Sequence, residues 1–184
     1  MDGKEKGRMK VLIVGAGRVG ASVAFALIQK GRHIVERLDI WEVDRQRMMG
    51  EIYDLRDAAI ISKSGITVGV GEKNRRYDIV IVCAGRSRRF IGESDSDLFN
   101  DNKNIVMGIA RKFIGRKFLI VTNPPERLSR IAGRLVNAEP MGKMLDEARR
   151  IQGRKDSSHI LRNKGYTNWG IAAEVVRELW GFRA

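Results

Sequence analysis

Apolar residues occur in short unbroken runs, separated by stretches where they recur every three or four positions. Val11-Leu12-Ile13-Val14, Ile79-Val80-Ile81-Val82 and Phe118-Leu119-Ile120-Val121 are continuous runs, the pattern of strands buried on both faces. Leu38 to Val43 and Ile66 to Val70 read as two further strands. Between them the spacing is helical. Val19, Val23, Ala26 and Leu27 precede Gly31, and Met48, Met49, Ile52, Leu55 and Ala59 share a second stripe. A third stripe holds Leu98, Asn102, Ile105, Val106, Ile109 and Phe113. Alternation of this kind predicts the α/β class: a doubly wound parallel sheet covered by helices on both faces. After Pro124-Pro125 the pattern predicts helices alone, on Leu128, Ile131 and Leu135, then Leu145, Ala148 and Ile151, then Ile171, Val175 and Leu179, with Gln152 to Ser158 as a polar linker. The chain thus divides into a sheet domain over 9–136 and a short helical C-terminal unit over 137–184.

Composition narrows the class. With 184 residues and 43% hydrophobic content, one core can form without staples, and a single cysteine, Cys83, cannot make an intramolecular disulfide. These features predict a reducing, cytoplasmic setting, and no apolar run approaches the roughly 18 residues of a membrane span. The polar N-terminus has no signal-peptide core. A net charge of +13 raises nucleic-acid binding, but residues 1–92 carry 18 basic and 11 acidic groups and residues 93–184 carry 17 and 11. An excess so evenly spread describes a solvated surface. The densest clusters, Arg75-Arg76 and Arg86-Ser87-Arg88-Arg89, lack the interleaved aromatics that stack bases, so a nucleic-acid partner is not expected.

Gly15-Ala16-Gly17-Arg18-Val19-Gly20 is a GxGxxG placed after a strand and opening a helix. The first glycine permits the tight turn, the second lets backbone approach a pyrophosphate, and the third lets helix and strand pack closely. Free amides at the helix start favour the anion. This predicts a Rossmann dinucleotide-binding fold, with Arg18 and Val19 in the same loop. An acid after the second strand should accept from the adenosine ribose hydroxyls; Glu42 stands 22 residues beyond Gly20, with Asp39 and Asp44 as competitors. A carboxylate there repels a 2′-phosphate, favouring NAD over NADP.

Further motifs follow in order: Gly50-Glu51-Ile52-Tyr53-Asp54-Leu55, Cys83-Ala84-Gly85, Val121-Thr122-Asn123-Pro124, Leu145-Asp146-Glu147-Ala148-Arg149 and Lys164-Gly165-Tyr166-Thr167. Together they resemble the NAD-dependent L-lactate and malate dehydrogenases, from about Lys10 to Leu179 with gaps. The resemblance implies that Glu42 is the ribose-binding acid, that Ala84 and Gly85 meet the cofactor, and that Asn123 touches substrate and nicotinamide. It implies that Asp146 orients a catalytic histidine, that Arg149 forks onto a substrate carboxylate, and that Thr167 belongs to the substrate domain. Arg88 or Arg89 matches the loop arginine that selects a 2-oxo or 2-hydroxy acid.

Other family features are missing. The only histidines are His33 and His159, and neither is followed by the glycine of the family's HG motif. Asp95 stands where the resemblance places a carbonyl-polarising arginine. The short interval between Asp146 and Thr167 leaves no room for most of the substrate domain, so residues 137–184 read as its remnant. Family-type catalysis, which needs a proton donor and an electrophilic cation, is therefore not expected, and the alternatives are a non-catalytic NAD sensor or scaffold and a basic Rossmann-like nucleic-acid adaptor, the latter supported by charge alone. Uncovered helices predict a homo-oligomer. Cys83 reads as a small core residue, Asp156-Ser157-Ser158-His159 as a solvated loop, and Trp41, Trp169 and Trp180 as core or interface; no zinc-ligand spacing occurs.

Overall fold

The computed structural model describes residues 7–90 and 92–183. Along the chain run β1 (Met9–Val14), α1 (Arg18–Lys30), β2 (Val35–Trp41), α2 (Arg45–Ile61), β3 (Thr67–Val70), β4 (Arg76–Val82) and α3 (Asp95–Lys112). β5 (Ile114–Ile120), α4 (Pro125–Ala132), β6 (Ala138–Pro140), α5 (Lys143–Ile151), α6 (Ser158–Lys164) and α7 (Trp169–Arg183) follow. The strands form one parallel sheet in the order β3-β2-β1-β4-β5-β6, so the doubly wound α/β expectation holds.

The continuous apolar runs split between two cores by strand alternation. Val11 and Ile13 of β1, Ile79 and Ile81 of β4 and Leu119 of β5 face a core shared with α1, α2 and α7. Leu12, Val14, Val80, Val82, Phe118 and Ile120 face the opposite core, closed by α3 and α4. Two buried layers explain why these strands show no polar alternation. Lys117, midway along β5, is buried as well; burial opposes its charge, but Glu139 at 2.7 Å and Glu178 at 2.9 Å raise its pKa and tie β5, β6 and α7 together.

Several boundaries differ from the sequence pattern. The second strand runs over Val35–Trp41 rather than Leu38 to Val43, leaving Val43 exposed beyond its end. The all-helical expectation after Pro125 is corrected by β6, three residues paired with Phe118 to Ile120; the sheet therefore continues past residue 136. Part of the expected linker leads directly into α6. Ile105, Leu135 and Ile151 are exposed despite their helical spacing. Trp41 packs edge-on to Phe113, whereas Trp169 and Trp180 are exposed, so only the first joins the core as expected.

The C-terminal helices are built onto the sheet domain. Ile171, Ala172, Val175 and Leu179 of α7 enter the core of α1 and α2. Gly142 begins α5 without a capping side chain of its own, and buried Glu174 of α7 supplies the acceptor: its carboxylate takes the N–H groups of Gly142 at 2.7 Å and Leu145 at 2.9 Å. Gly170 permits this contact, since a Cβ there would meet the Leu145 side chain at 2.4 Å. Among the described residues no helix is long and apolar enough to cross a membrane.

Tyr77, buried, and Cys83, partly buried against the core, give the fold a signature at alkaline pH. Burial pushes the Cys83 thiol from 9.0 up to about 12, and burial with help from Asp39 pushes the Tyr77 phenol from 10.0 up to about 12. The folded state keeps protons that the unfolded chain releases earlier, so stability is complete below pH 9 and falls as pH climbs toward 12. Denaturant midpoints should fall across that window in the parent protein and more gently in Cys83→Ala/Tyr77→Phe. Parallel profiles would contradict the assignment.

Candidate dinucleotide site

Parallel strands deliver their C-terminal ends to one edge, and the strand order reverses between β1 and β4. The loops leaving β1, β2, β4 and β5 carry the glycine turn, Glu42, Ala84-Gly85 and Asn123 respectively. Gly15 adopts φ +100, and a Cβ on it would lie 2.5 Å from the Ala84 nitrogen. At Gly20 a Cβ would sit 1.9 Å from the Gly15 carbonyl oxygen. Both glycines are thus required for packing. Gly17 differs: its φ is −73 and a Cβ would meet nothing within 4 Å. It is the N-cap of α1 and offers no side chain to the helix amides, so the open side of the turn presents backbone N–H groups and a positive helix end to an anion. Val19 packs against the core, while Arg18 is exposed with its guanidinium 4.5 Å from the Tyr166 ring centroid.

Geometry separates the three acids near the second strand. Asp39 is fully buried, accepts from the Tyr77 hydroxyl at 3.0 Å and pairs with Arg75 at 2.6 Å and Arg37 at 2.9 Å. Asp44 caps α2 by accepting from the Arg47 amide at 3.1 Å. Glu42 alone turns to the glycine loop, accepting from the Ala16 amide at 2.8 Å and its neighbour Val43 at 2.7 Å. Its carboxylate stands where an acid can receive ribose hydroxyls, and the open turn at Gly17 leaves room for pyrophosphate. The residues present fit a dinucleotide.

Asn102 organises the far side. Fully buried on α3, it donates from Nδ2 to the carbonyls of Arg86 at 3.1 Å and Asn123 at 2.8 Å, and its Oδ1 accepts the Arg86 amide at 2.7 Å. Thr122 Oγ1 donates to the Ala84 carbonyl at 2.8 Å. A Cβ on Gly85 would strike the Thr122 methyl at 2.4 Å. The two loops are therefore pinned to each other through buried polar groups. The sequence pattern puts Asn102 on an apolar stripe and gives it no function; an amide at a core position is the one signal that points to it.

The expected substrate groups are arranged differently. Arg88 pairs with Asp95 and donates to the Glu93 carbonyl, so both of its contacts lie within the chain. Arg86 pairs with buried Glu93 at 2.8 Å and with Asp101 at 2.6 Å, while Arg89 reaches Asp101 only at 3.9 Å and is mostly exposed. Arg86 and Arg89 hold the Glu93 carboxyl below its ordinary pKa. Arg149 Nη1 donates to Asp146 at 2.8 Å, one helical turn away, and its Nε is buried with no partner. Thr167 is half-buried between α6 and α7. His33 and His159 are exposed, and Asp146 has Arg149 as its side-chain partner among the described residues. Burial pushes the Cys83 thiol up to about 12, which disfavours the thiolate that a nucleophile requires.

The family model for the lactate/malate dehydrogenase NAD binding domain matches residues 9–143. The chain belongs to that family. The matched part of that family is its NAD binding domain. L-lactate dehydrogenase 1 of Staphylococcus aureus is 34% identical over 126 residues, covering 65% of this chain and 39% of the relative. The chain thus spans about two fifths of the length of that curated relative. A lactate dehydrogenase from a Medee basin deep-sea metagenome library superposes with a TM-score of 0.78 at 20% identity, covering 94% of this chain and 76% of the other. Malate dehydrogenase from Archaeoglobus fulgidus, solved in complex with NADH, gives a TM-score of 0.76 at 21% identity, covering 92% and 76%. At those identities the superpositions report the shared fold.

Removing Asn102 leaves the Arg86 amide and the Asn123 carbonyl without their buried partner. Asn102→Ala should destabilise the protein by about 2–3 kcal/mol, read as a lowered denaturant midpoint. A change within about 0.5 kcal/mol, the usual range for a surface substitution, would show that the two loops hold without it.

Proposed function

We propose that this chain binds NAD(H) without carrying out the family's reduction of a 2-oxo acid. The observation that carries the reading is the contrast between two ends of one cleft edge. The glycine turn is open at Gly17 and backed by Glu42, while Arg88 and Arg149 are each paired within the chain to Asp95 and Asp146. Arg88 spends its two terminal nitrogens on Asp95 and the Glu93 carbonyl, which leaves it little to offer a substrate carboxylate, and Arg149 is shared with Asp146 through Nη1.

In this reading Gly15, Gly17, Arg18, Val19 and Gly20 hold the pyrophosphate and Glu42 takes the adenosine ribose. Ala84, Gly85 and Asn123 line the nicotinamide half. Residues 137–184 stand as the counterpart of a substrate domain and serve as a brace rather than a catalytic lobe. The role is that of an NAD-dependent sensor or scaffold. Nucleic-acid binding has no support from the two basic clusters, because Arg75 and Arg86 are both engaged in ion pairs. We infer self-association through α2, whose Tyr53, Ile60 and Ile61 are exposed apolar side chains.

Titration with NADH, followed by tryptophan quenching and nicotinamide emission, should give saturable micromolar binding. Gly17→Asp should abolish it with an unchanged thermal midpoint, since the position is open. Pyruvate and oxaloacetate should not be turned over above background. Absence of binding by folded protein at millimolar NADH overturns the cofactor reading for this chain, and turnover on the order of 1 s⁻¹ overturns the non-catalytic one. Sedimentation should report a dimer or larger species; a concentration-independent monomer refutes the α2 contact.

A further inference from the structure

The segment between α6 and α7 lies against the first turn of α1. Buried Asn168 donates from Nδ2 to Ser22 Oγ at 2.7 Å, and Ser22 Oγ donates to the Arg18 carbonyl at 2.8 Å. The ammonium of Lys164 donates to Asn168 Oδ1, so a continuous chain of polar contacts ties the end of α6 to the start of the glycine-turn helix. Two cations then meet one ring. The Arg18 guanidinium lies 4.5 Å and the Lys164 ammonium 4.6 Å from the Tyr166 centroid, and Lys164 is also 5.0 Å from the Trp169 ring.

Nothing anionic balances this cluster among the described residues. Neither Arg18 nor Lys164 makes an ion pair there, and the first turn of α1 contains no acid. The helix N-terminus adds its own positive end at the same place. Ring faces soften the repulsion between the cations without cancelling it. Two side-chain charges gathered beside the first turn of α1, with the helix dipole, form a poor arrangement on their own and a favourable one next to a dianion.

We propose that Lys164 is a pyrophosphate-binding residue of the NAD site, supplied by the C-terminal segment, and that Tyr166 is a positioning residue that holds Arg18 and Lys164 over the turn. The inference rests on the NAD-binding reading and extends the site beyond the matched residues 9–143. It also makes the C-terminal unit responsive to ligand, because bound dinucleotide joins α1 to the segment between α6 and α7.

The test is the affinity for NADH at low and high salt in the full chain, with thermal midpoints as a folding control. Lys164→Met should bind NADH about tenfold more weakly at low salt, with a shallower salt dependence, because one cation no longer contributes. Lys164→Arg should restore affinity to within about twofold of the parent, as a retained charge demands. Tyr166→Phe should match the parent and Tyr166→Leu should weaken binding, since the ring rather than the hydroxyl does the positioning. Parent-like affinity and salt slope in Lys164→Met would overturn the proposal. So would an equal loss in Lys164→Arg, which indicates packing rather than charge. If the parent protein itself does not bind NADH, the cofactor reading fails first and the Lys164 assignment fails with it.

Discussion

The turn after β1 and the turn after β4 approach until there is no room for a side chain between them. Gly15 presses on the Ala84 backbone, and Gly20 presses on the carbonyl of Gly15, each closer than a Cβ tolerates. This contact fixes where α1 starts and which way its first amides point. From it follow the open flank at Gly17, the reach of Glu42 to the Ala16 amide, and the position of Ala84-Gly85 beside the same cleft. Because the constraint is one of backbone against backbone, it survives wide changes in the side chains around it. The shape of the turn therefore does not depend on what stands at Arg88, Asp95 or Arg149.

The loop between β4 and α3 is held by electrostatics. A positive charge at position 95 would repel Arg88; the aspartate there instead closes an internal pair. Glu93, buried and bound by Arg86 and by the Arg89 amide, gives the same loop a second anchor. The loop is thus folded onto its own charges. Net charge alone said nothing of this, since +13 counts these arginines whether or not they are free.

Legibility in the sequence followed burial. β1, β4 and β5 were readable because both faces are covered and the runs are unbroken. β6 was not: Ala138-Glu139-Pro140 has no apolar alternation, and it is a strand only because β5 offers an edge to pair with. Likewise α6 has no buried residue and no periodic signal of its own. The glycine turn could be placed by spacing, whereas Glu42, Asp39 and Asp44 could not be ranked by spacing. Their separation depends on which side chain the strand directs into the sheet, which caps the next helix, and which turns back to the loop. The Arg88–Asp95 pair and the buried network of Asn102 depend on the path of a loop, and no residue pattern encodes that path.

The C-terminal helices pack as part of the sheet domain rather than beside it. Had they formed a lobe of their own, α5 would need its own cap and α7 its own core. Instead α7 fills the core over α1, and its Glu174 caps α5 from across the contact, so α5 has neither a cap nor a buried face without its neighbour. Asn168 extends the dependence to Ser22, two turns or less from the glycine loop. Any force that shifts α7 therefore acts on the helix that opens at the glycine turn. Coupling of that kind requires only that one helix serve both the core and the turn.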